Sequence, residues 1–181
     1  MSDWRESMTP EDRAMIAARA PIAPGTLTVL IGPAGSGKST FTHAVPSGEV
    51  ISLDALRALV TGGDAGDQAS TAEAVQLQNL LLDARLRRGR TVYCDSTNVE
   101  QAVRARLVER ARLNGRPRLA IVFTTPLDLC LRRNSQRPAN RRVPENVLRW
   151  QHQLAVESLP GLADEGFDEV RLYPAVSRSG R

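Results

Sequence analysis

The chain has 181 residues, of which 41% are apolar and 24% charged, and a net charge of +4. That length suits one domain with a sizeable core, and the composition excludes a disordered, fibrous or disulfide-stapled protein. No apolar run approaches the ~18 residues a membrane span needs, and the polar start Met1-Ser2-Asp3-Trp4-Arg5-Glu6 does not read as a signal peptide, so a cytoplasmic protein without membrane contact is expected.

Thr9-Pro10-Glu11-Asp12 reads as a helix start, with a capping threonine, proline at the first helical position and acids in the first turn. The helix runs to about Arg19, and Pro21 and Pro24-Gly25 end it, which makes residues 1–24 an N-terminal appendage. Thr26-Leu27-Thr28-Val29-Leu30-Ile31 is apolar and β-branched and reads as a buried strand. Next come Gly32-Pro33-Ala34-Gly35-Ser36-Gly37-Lys38-Ser39-Thr40, then a segment that can continue as helix. Strand, glycine-rich turn and helix form the context that the P-loop pattern G-x-x-x-x-G-K-[ST] requires.

The chemistry of this stretch follows from its residue types. Gly32, Gly35 and Gly37 let the backbone approach a ligand closely, so that successive N–H groups point into one concavity at a helix N-terminus and hold an anion. Lys38 reaches the outer phosphates of a nucleotide, and Ser39 offers a hydroxyl oxygen to Mg²⁺. Lys38 is the only lysine among 24 basic residues, the others all being arginine. A glycine-rich turn with one surface lysine is the structural alternative.

After the turn Pro46-Ser47-Gly48, a second strand is expected at Glu49–Ser52 and a helix from Asp54 to Val60, followed by a loop at Thr61–Asp67. Asp54 lies just past the strand, and Arg57, three residues on, shares its helical face. A phosphotransferase needs a carboxylate near the acceptor hydroxyl to orient it and take its proton. A plain N-cap with a surface partner explains the same spacing. Thr71 to Arg88 reads as a helix with Leu77, Leu80, Leu81 and Ala84 on its buried face.

The third strand, Thr91–Cys94, ends at Asp95, which has the place of a Mg²⁺-holding acid. Thr97-x-x-Glu100 reads as a capping box for a helix to about Leu113. A fourth strand is expected at Arg118–Phe123, helices at Asp128–Gln136 and Pro144–Ser158 and a last strand at Glu169–Leu172, with a disordered tail over 177–181. Cys94 and Cys130 sit in apolar contexts and are expected as buried free thiols. Six arginines between Pro126 and Trp150 face only Asp128 and Glu145, a surplus of four that equals the net charge of the whole chain. Arg133 and Arg137 are four apart, and Arg141 and Arg142 follow in an irregular connection. A basic loop between two helices can close over ATP as a lid, here about residues 130–146, and arginine is suited to spread charge on a transferring phosphoryl group. A solvated basic face explains Arg132 and Arg149. Strands alternating with helices imply an α/β fold, a P-loop NTPase of three α/β/α layers on a five-stranded parallel sheet over residues 25–176.

Five stretches in order resemble the kinase domain of bacterial and phage polynucleotide 5′-kinases of RNA repair. They are the P-loop, Ser52-x-Asp54-x-x-Arg57, Asp95-Ser96-Thr97-Asn98, Arg133-Asn134-x-x-Arg137 with Arg142-Val143-Pro144, and Glu165-Gly166-Phe167-Asp168. The resemblance implies an enzyme that moves the γ-phosphate of ATP to the 5′-OH end of RNA or DNA. In it Lys38 and Ser39 bind phosphates and Mg²⁺, Asp54 is the general base, Arg57 holds an acceptor phosphate, and Arg133 and Arg137 are lid arginines on the ATP phosphates. Two alternatives stay open: a kinase of a small-molecule hydroxyl (antibiotic, sugar, nucleoside or nucleotide-sugar), and a non-catalytic nucleotide-binding switch. The low aromatic content, 4%, leaves few base-stacking platforms.

Overall fold

The computed structural model describes residues 19–174. The expected N-terminal helix and the tail over 177–181 lie outside them. Five strands, β1 (Leu27–Ile31), β2 (Val50–Ser52), β3 (Val92–Asp95), β4 (Arg118–Phe123) and β5 (Glu169–Tyr173), form one parallel sheet in the order β2-β3-β1-β4-β5. The α-helices among the described residues are α1 (Lys38–Thr42), α2 (Leu53–Thr61), α3 (Thr71–Arg87), α4 (Gln101–Leu113), α5 (Leu127–Ser135) and α6 (Glu145–Ser158). This is the expected three-layer α/β/α architecture.

Strand position explains strand composition. β1 is central and buried along its whole length, and β4 beside it is nearly so, whereas β2 and β5 at the two edges are shorter or more exposed. Alternate residues of β1 serve opposite faces. Leu27, Val29 and Ile31 join Ala74, Leu82, Leu86, Leu107 and Ala111 under α3 and α4. Leu30 meets Phe41, Leu119, Ile121, Phe123 and Tyr173 on the other face, where the Phe41 ring stands edge-on to Phe123 and Tyr173 with centroids 5.8 and 5.3 Å away. A smaller cluster of Ala34, Cys130 and Leu148 fastens α5 and α6 to the turn after β1. Cys94 and Cys130 are buried free thiols, as expected; burial pushes Cys94 up to about 12 and Cys130 up to about 11, so neither is a ready nucleophile.

Two local expectations are corrected. The buried row of α3 is Ala74, Gln78, Leu82 and Leu86, four residues apart, with Leu77 half-buried beside it. Leu80 is 68% exposed and Leu81 39%. Three consecutive leucines, Leu80-Leu81-Leu82, point round the helix and cannot mark one face. The capping box also does not form: α4 starts at Gln101, behind Glu100, whose side chain makes no capping bond. The preceding residues instead strap β1 to β3. Asn98, with a left-handed φ of 47°, donates from Nδ2 to the Leu30 carbonyl at 2.8 Å and the Cys94 carbonyl at 3.2 Å, and the Gly32 N–H donates to the Thr97 carbonyl at 2.9 Å.

Arg104 of α4, 2% exposed, secures this strap. It donates to the Asn98 and Val99 carbonyls at 3.1 and 2.6 Å, and forks onto Glu165 at 2.6 and 2.5 Å. Glu165 and Asp168, the acids of the fifth motif, are therefore structural, Asp168 pairing with Arg118. Removing one partner of a buried pair leaves the other charge uncompensated. Glu165→Ala is expected to lower stability by about 3 kcal/mol, read as a shifted urea midpoint, while Glu109→Ala at the exposed Arg112–Glu109 pair leaves the midpoint in place. Equal midpoints for the two variants would refute the role given to Arg104.

Candidate active site

The sheet order places β1 between β3 and β4, and the crevice above their C-terminal ends is where α/β sheets hold ligands. The turn after β1 sits there. Strand register aligns Leu30 with Asp95, and Asp95 in turn with Ser52. The tips of β1, β3 and β2 thus bring the glycine-rich turn, Asp95 and Asp54 to one edge of the sheet.

The turn is tight. Gly35 has φ 78°, and a Cβ there would stand 2.7 Å from the Cys130 carbonyl oxygen, so a side chain cannot be accommodated. Lys38 begins α1 and is 8% exposed. Its Nζ donates to the Gly32 and Pro33 carbonyls at 2.7 and 2.8 Å and to Ser36 Oγ at 3.3 Å. Burial lowers its pKa to about 8, against the opposing pull of the Asp95 carboxylate. Burial likewise raises Asp95, and the Lys38 charge moderates that rise. Thr42 Oγ1 donates to Asp95 Oδ2 at 3.4 Å. Ser39 and Thr40 are exposed on the cleft.

Distant segments brace the turn. Thr125, after β4, donates from Oγ1 to the Ser36 carbonyl at 2.7 Å, and its own carbonyl lies 3.2 Å from His152 Nε2. Gln151 Oε1 accepts the Ala34 N–H at 3.2 Å. Arg133 Nη1 donates to the Gly35 carbonyl at 3.1 Å. The spacing of the sequence gave no signal for Thr125, Gln151 or His152, which lie on elements far along the chain and serve the turn only through the fold.

Asp54 is the second residue of α2. One carboxylate oxygen is hydrogen-bonded by Arg57, and the other accepts from Arg141 Nη2 at 2.7 Å. Arg57 is 8% exposed and also donates from Nε to the Ala65 carbonyl at 3.1 Å. The basic connection between α5 and α6 contains a 3-10 turn at Ala139–Arg141 and is clasped at its base. Asn134 Nδ2 donates to the Val143 carbonyl at 2.7 Å, and the Val143 N–H returns to Asn134 Oδ1 at 3.0 Å. At its tip Asn140 Nδ2 donates to Asp64 Oδ1 at 3.1 Å, so the connection touches the 61–67 loop across the top of Asp54. Arg137 lies just past the end of α5 rather than on it. It is half-buried, and burial lowers its pKa, with Arg141 pushing the same way.

Lys38, Ser39, Asp54, Arg57, Asp95, Arg133, Arg137 and Arg141 all line one cleft of about 2080 Å³, together with Ala34, Gly35, Gly37 and Thr40. Gly32, Pro33 and Ser36 sit behind it, where their oxygens hold Lys38. Arg132 and Arg149 stay on the surface with Asp128 and Glu145.

Residues 27–159 match the AAA_33 family model, described as an AAA domain. The chain belongs to this AAA domain family. Membership implies nucleotide binding at the P-loop. Among solved structures, a chain of the AvrRxo1-ORF1:AvrRxo1-ORF2 complex with sulphate ions superposes on the AAA domain with a TM-score of 0.68 at 14% identity, over 90% of this chain. This chain spans only 58% of that one. A kinase candidate from Chloroflexus aurantiacus gives 0.60 at 14% identity, covering 86% of this chain and 91% of that chain. A chain of the PezAT chromosomal toxin-antitoxin system of Streptococcus pneumoniae gives 0.61 at 15%, covering 94% and 77%. At these identities the likeness establishes the fold, a P-loop NTPase-like α/β domain.

The Lys38 charge state sets a pH dependence. Phosphate binds the ammonium form, so above about pH 8 the free AAA domain must take up a proton to bind. Nucleotide affinity is expected to be flat below about pH 7.5 and to weaken up to about tenfold per pH unit above 8. Fluorescent-ATP titrations from pH 7 to 9.5 check this, and a flat profile contradicts the lowered lysine pKa.

Proposed function

We propose that this AAA domain is an ATP-dependent kinase that moves the γ-phosphoryl group to a hydroxyl held against Asp54. The observation that supports this most is that Asp54 and the Lys38 cradle line one cleft together with Arg133, Arg137 and Arg141. A nucleotide-binding switch needs no carboxylate there.

The residues fit the groups the reaction requires. The backbone of Gly32–Thr40 and Lys38 hold the triphosphate. Ser39 and Asp95 are hard oxygen donors, the set Mg²⁺ takes while keeping several waters. Held by these two residues, Mg²⁺ would supply positive charge against the triphosphate. Asp54 turns from its arginines to the acceptor, and takes the hydroxyl proton as the acceptor oxygen bonds to the γ-phosphorus and the bond to ADP breaks. Arg133 and Arg137 stabilise the charge on the transferring group and exclude water.

The finer reading of the acceptor, a 5′-OH end of RNA or DNA, is supported by the five motif matches and by Arg57 beside Asp54. A second reading, a small-molecule hydroxyl, is favoured by the burial of Arg57, whose guanidinium is already engaged by Asp54 and the Ala65 carbonyl.

Asp54→Asn is expected to slow transfer about 10²–10⁴-fold with ATP binding nearly unchanged, read from labelled ATP and equilibrium binding. Equal loss of both makes Asp54 structural. Lys38→Ala is expected to cost about 3 kcal/mol in the transition state, the scale of one preorganised charge-stabilising donor. Turnover that no Asp54 substitution alters and no hydroxyl acceptor stimulates points to the switch instead.

A further inference from the structure

Beyond the phosphate cradle the cleft opens into a wing bounded by α2, α3 and the start of α4. Gln78 of α3 lines it and is only 7% exposed. Its amide has no hydrogen-bond partner among the described residues. Thr71 Oγ1, on the same helix and the same cleft, is buried and likewise unpartnered. Gln78 is largely buried, yet its amide keeps surface on the cleft without a protein partner, so it is free to meet a ligand there. Val75, Val103 and Leu107 supply apolar wall beside them.

The wing carries little net charge. Arg57, anchored on the Ala65 carbonyl, is balanced by Asp54 beside it, and Arg106 is balanced by Glu100. Tyr173, the one aromatic residue of the cleft lining among the described residues, packs with Phe41 and Arg19 on the opposite sheet face. A polynucleotide binds through a positive track and stacking platforms, and this wall offers neither. A glutamine amide donates and accepts at once, which matches hydroxyls that do the same, and aliphatic wall suits the C–H face of a sugar-like ring.

We infer that this wing is the acceptor subsite of the proposed kinase, that Gln78 hydrogen-bonds the acceptor, and that the acceptor is a small uncharged molecule with several hydroxyl groups. The inference rests on the kinase reading above. The full chain, as wild type and Gln78→Leu, is given γ-labelled ATP and Mg²⁺ with glucose, myo-inositol, uridine or a 5′-OH oligonucleotide. Label is expected on a neutral polyol, and Gln78→Leu is expected to raise its KM about tenfold, the scale of one buried hydrogen bond, with KM for ATP unchanged. Gln78→Glu, which keeps the shape, carries the same test should the leucine variant fail to fold. A merely structural glutamine would instead alter ATP binding and thermal midpoint together. Label on the oligonucleotide alone, or a polyol KM indifferent to both substitutions, overturns the inference and leaves the kinase reading standing. A wild-type protein that binds ATP and labels none of the four overturns both.

Discussion

A single buried ammonium group governs this architecture. Lys38 is nearly out of solvent, held by carbonyls of the turn it serves. Removing a charge from water is costly, and the depressed lysine pKa records that cost. The position is tenable because carbonyl dipoles and the Asp95 carboxylate offset part of it. The same partners keep the ammonium poised: a triphosphate replaces carbonyl dipoles with full negative charge, a stronger partner in the same place. A turn that must hold such a group cannot be loose. That explains its bracing by the Thr97–Gly32 bond, Thr125, Gln151 and Arg133, from four other segments.

The second constraint is the meeting of carboxylates and arginines at the strand tips. Asp95 ends β3 and Asp54 lies two residues past the end of the neighbouring β2, so the sheet itself sets their approach. Asp54 has both oxygens engaged by arginines, one from its own helix and one from the connection between α5 and α6. The connection therefore reaches across the cleft. Through Arg141 and Asn140 it ties the α5–α6 side of the cleft to α2 and its following loop. In the reaction proposed above, a carboxylate held this way is oriented before an acceptor arrives, and the guanidiniums that orient it would meet phosphate oxygens once it turns away.

The fold was largely legible in the sequence because a parallel sheet writes itself in short apolar runs and glycine stops, and a P-loop in fixed spacing. Strand limits and the placement of Lys38, Asp54 and Asp95 followed from that local pattern. What the sequence concealed was everything set by packing between distant segments. Leu80 and Leu81 suggested a buried face because they are apolar, yet a four-residue row through Gln78 faces the core and the cleft. Thr97 and Glu100 have capping-box spacing, but the fold uses the segment to fasten β1 to β3. Asn134 and Glu165 stood inside motifs suggestive of chemistry, and the structure uses them as clasps. Side chains that hold the functional turn lack any local signature, because their role exists only after the chain has closed on itself.

The most direct measurement is the distance from the Asp54 carboxylate to the γ-phosphorus in a complex with Mg²⁺ and a non-hydrolysable ATP analogue. The account predicts about 6 Å or less, an attack distance plus one hydrogen bond, with Lys38 Nζ on phosphate oxygen. A carboxylate directed away from the γ-phosphorus, with no room for a hydroxyl between them, contradicts it.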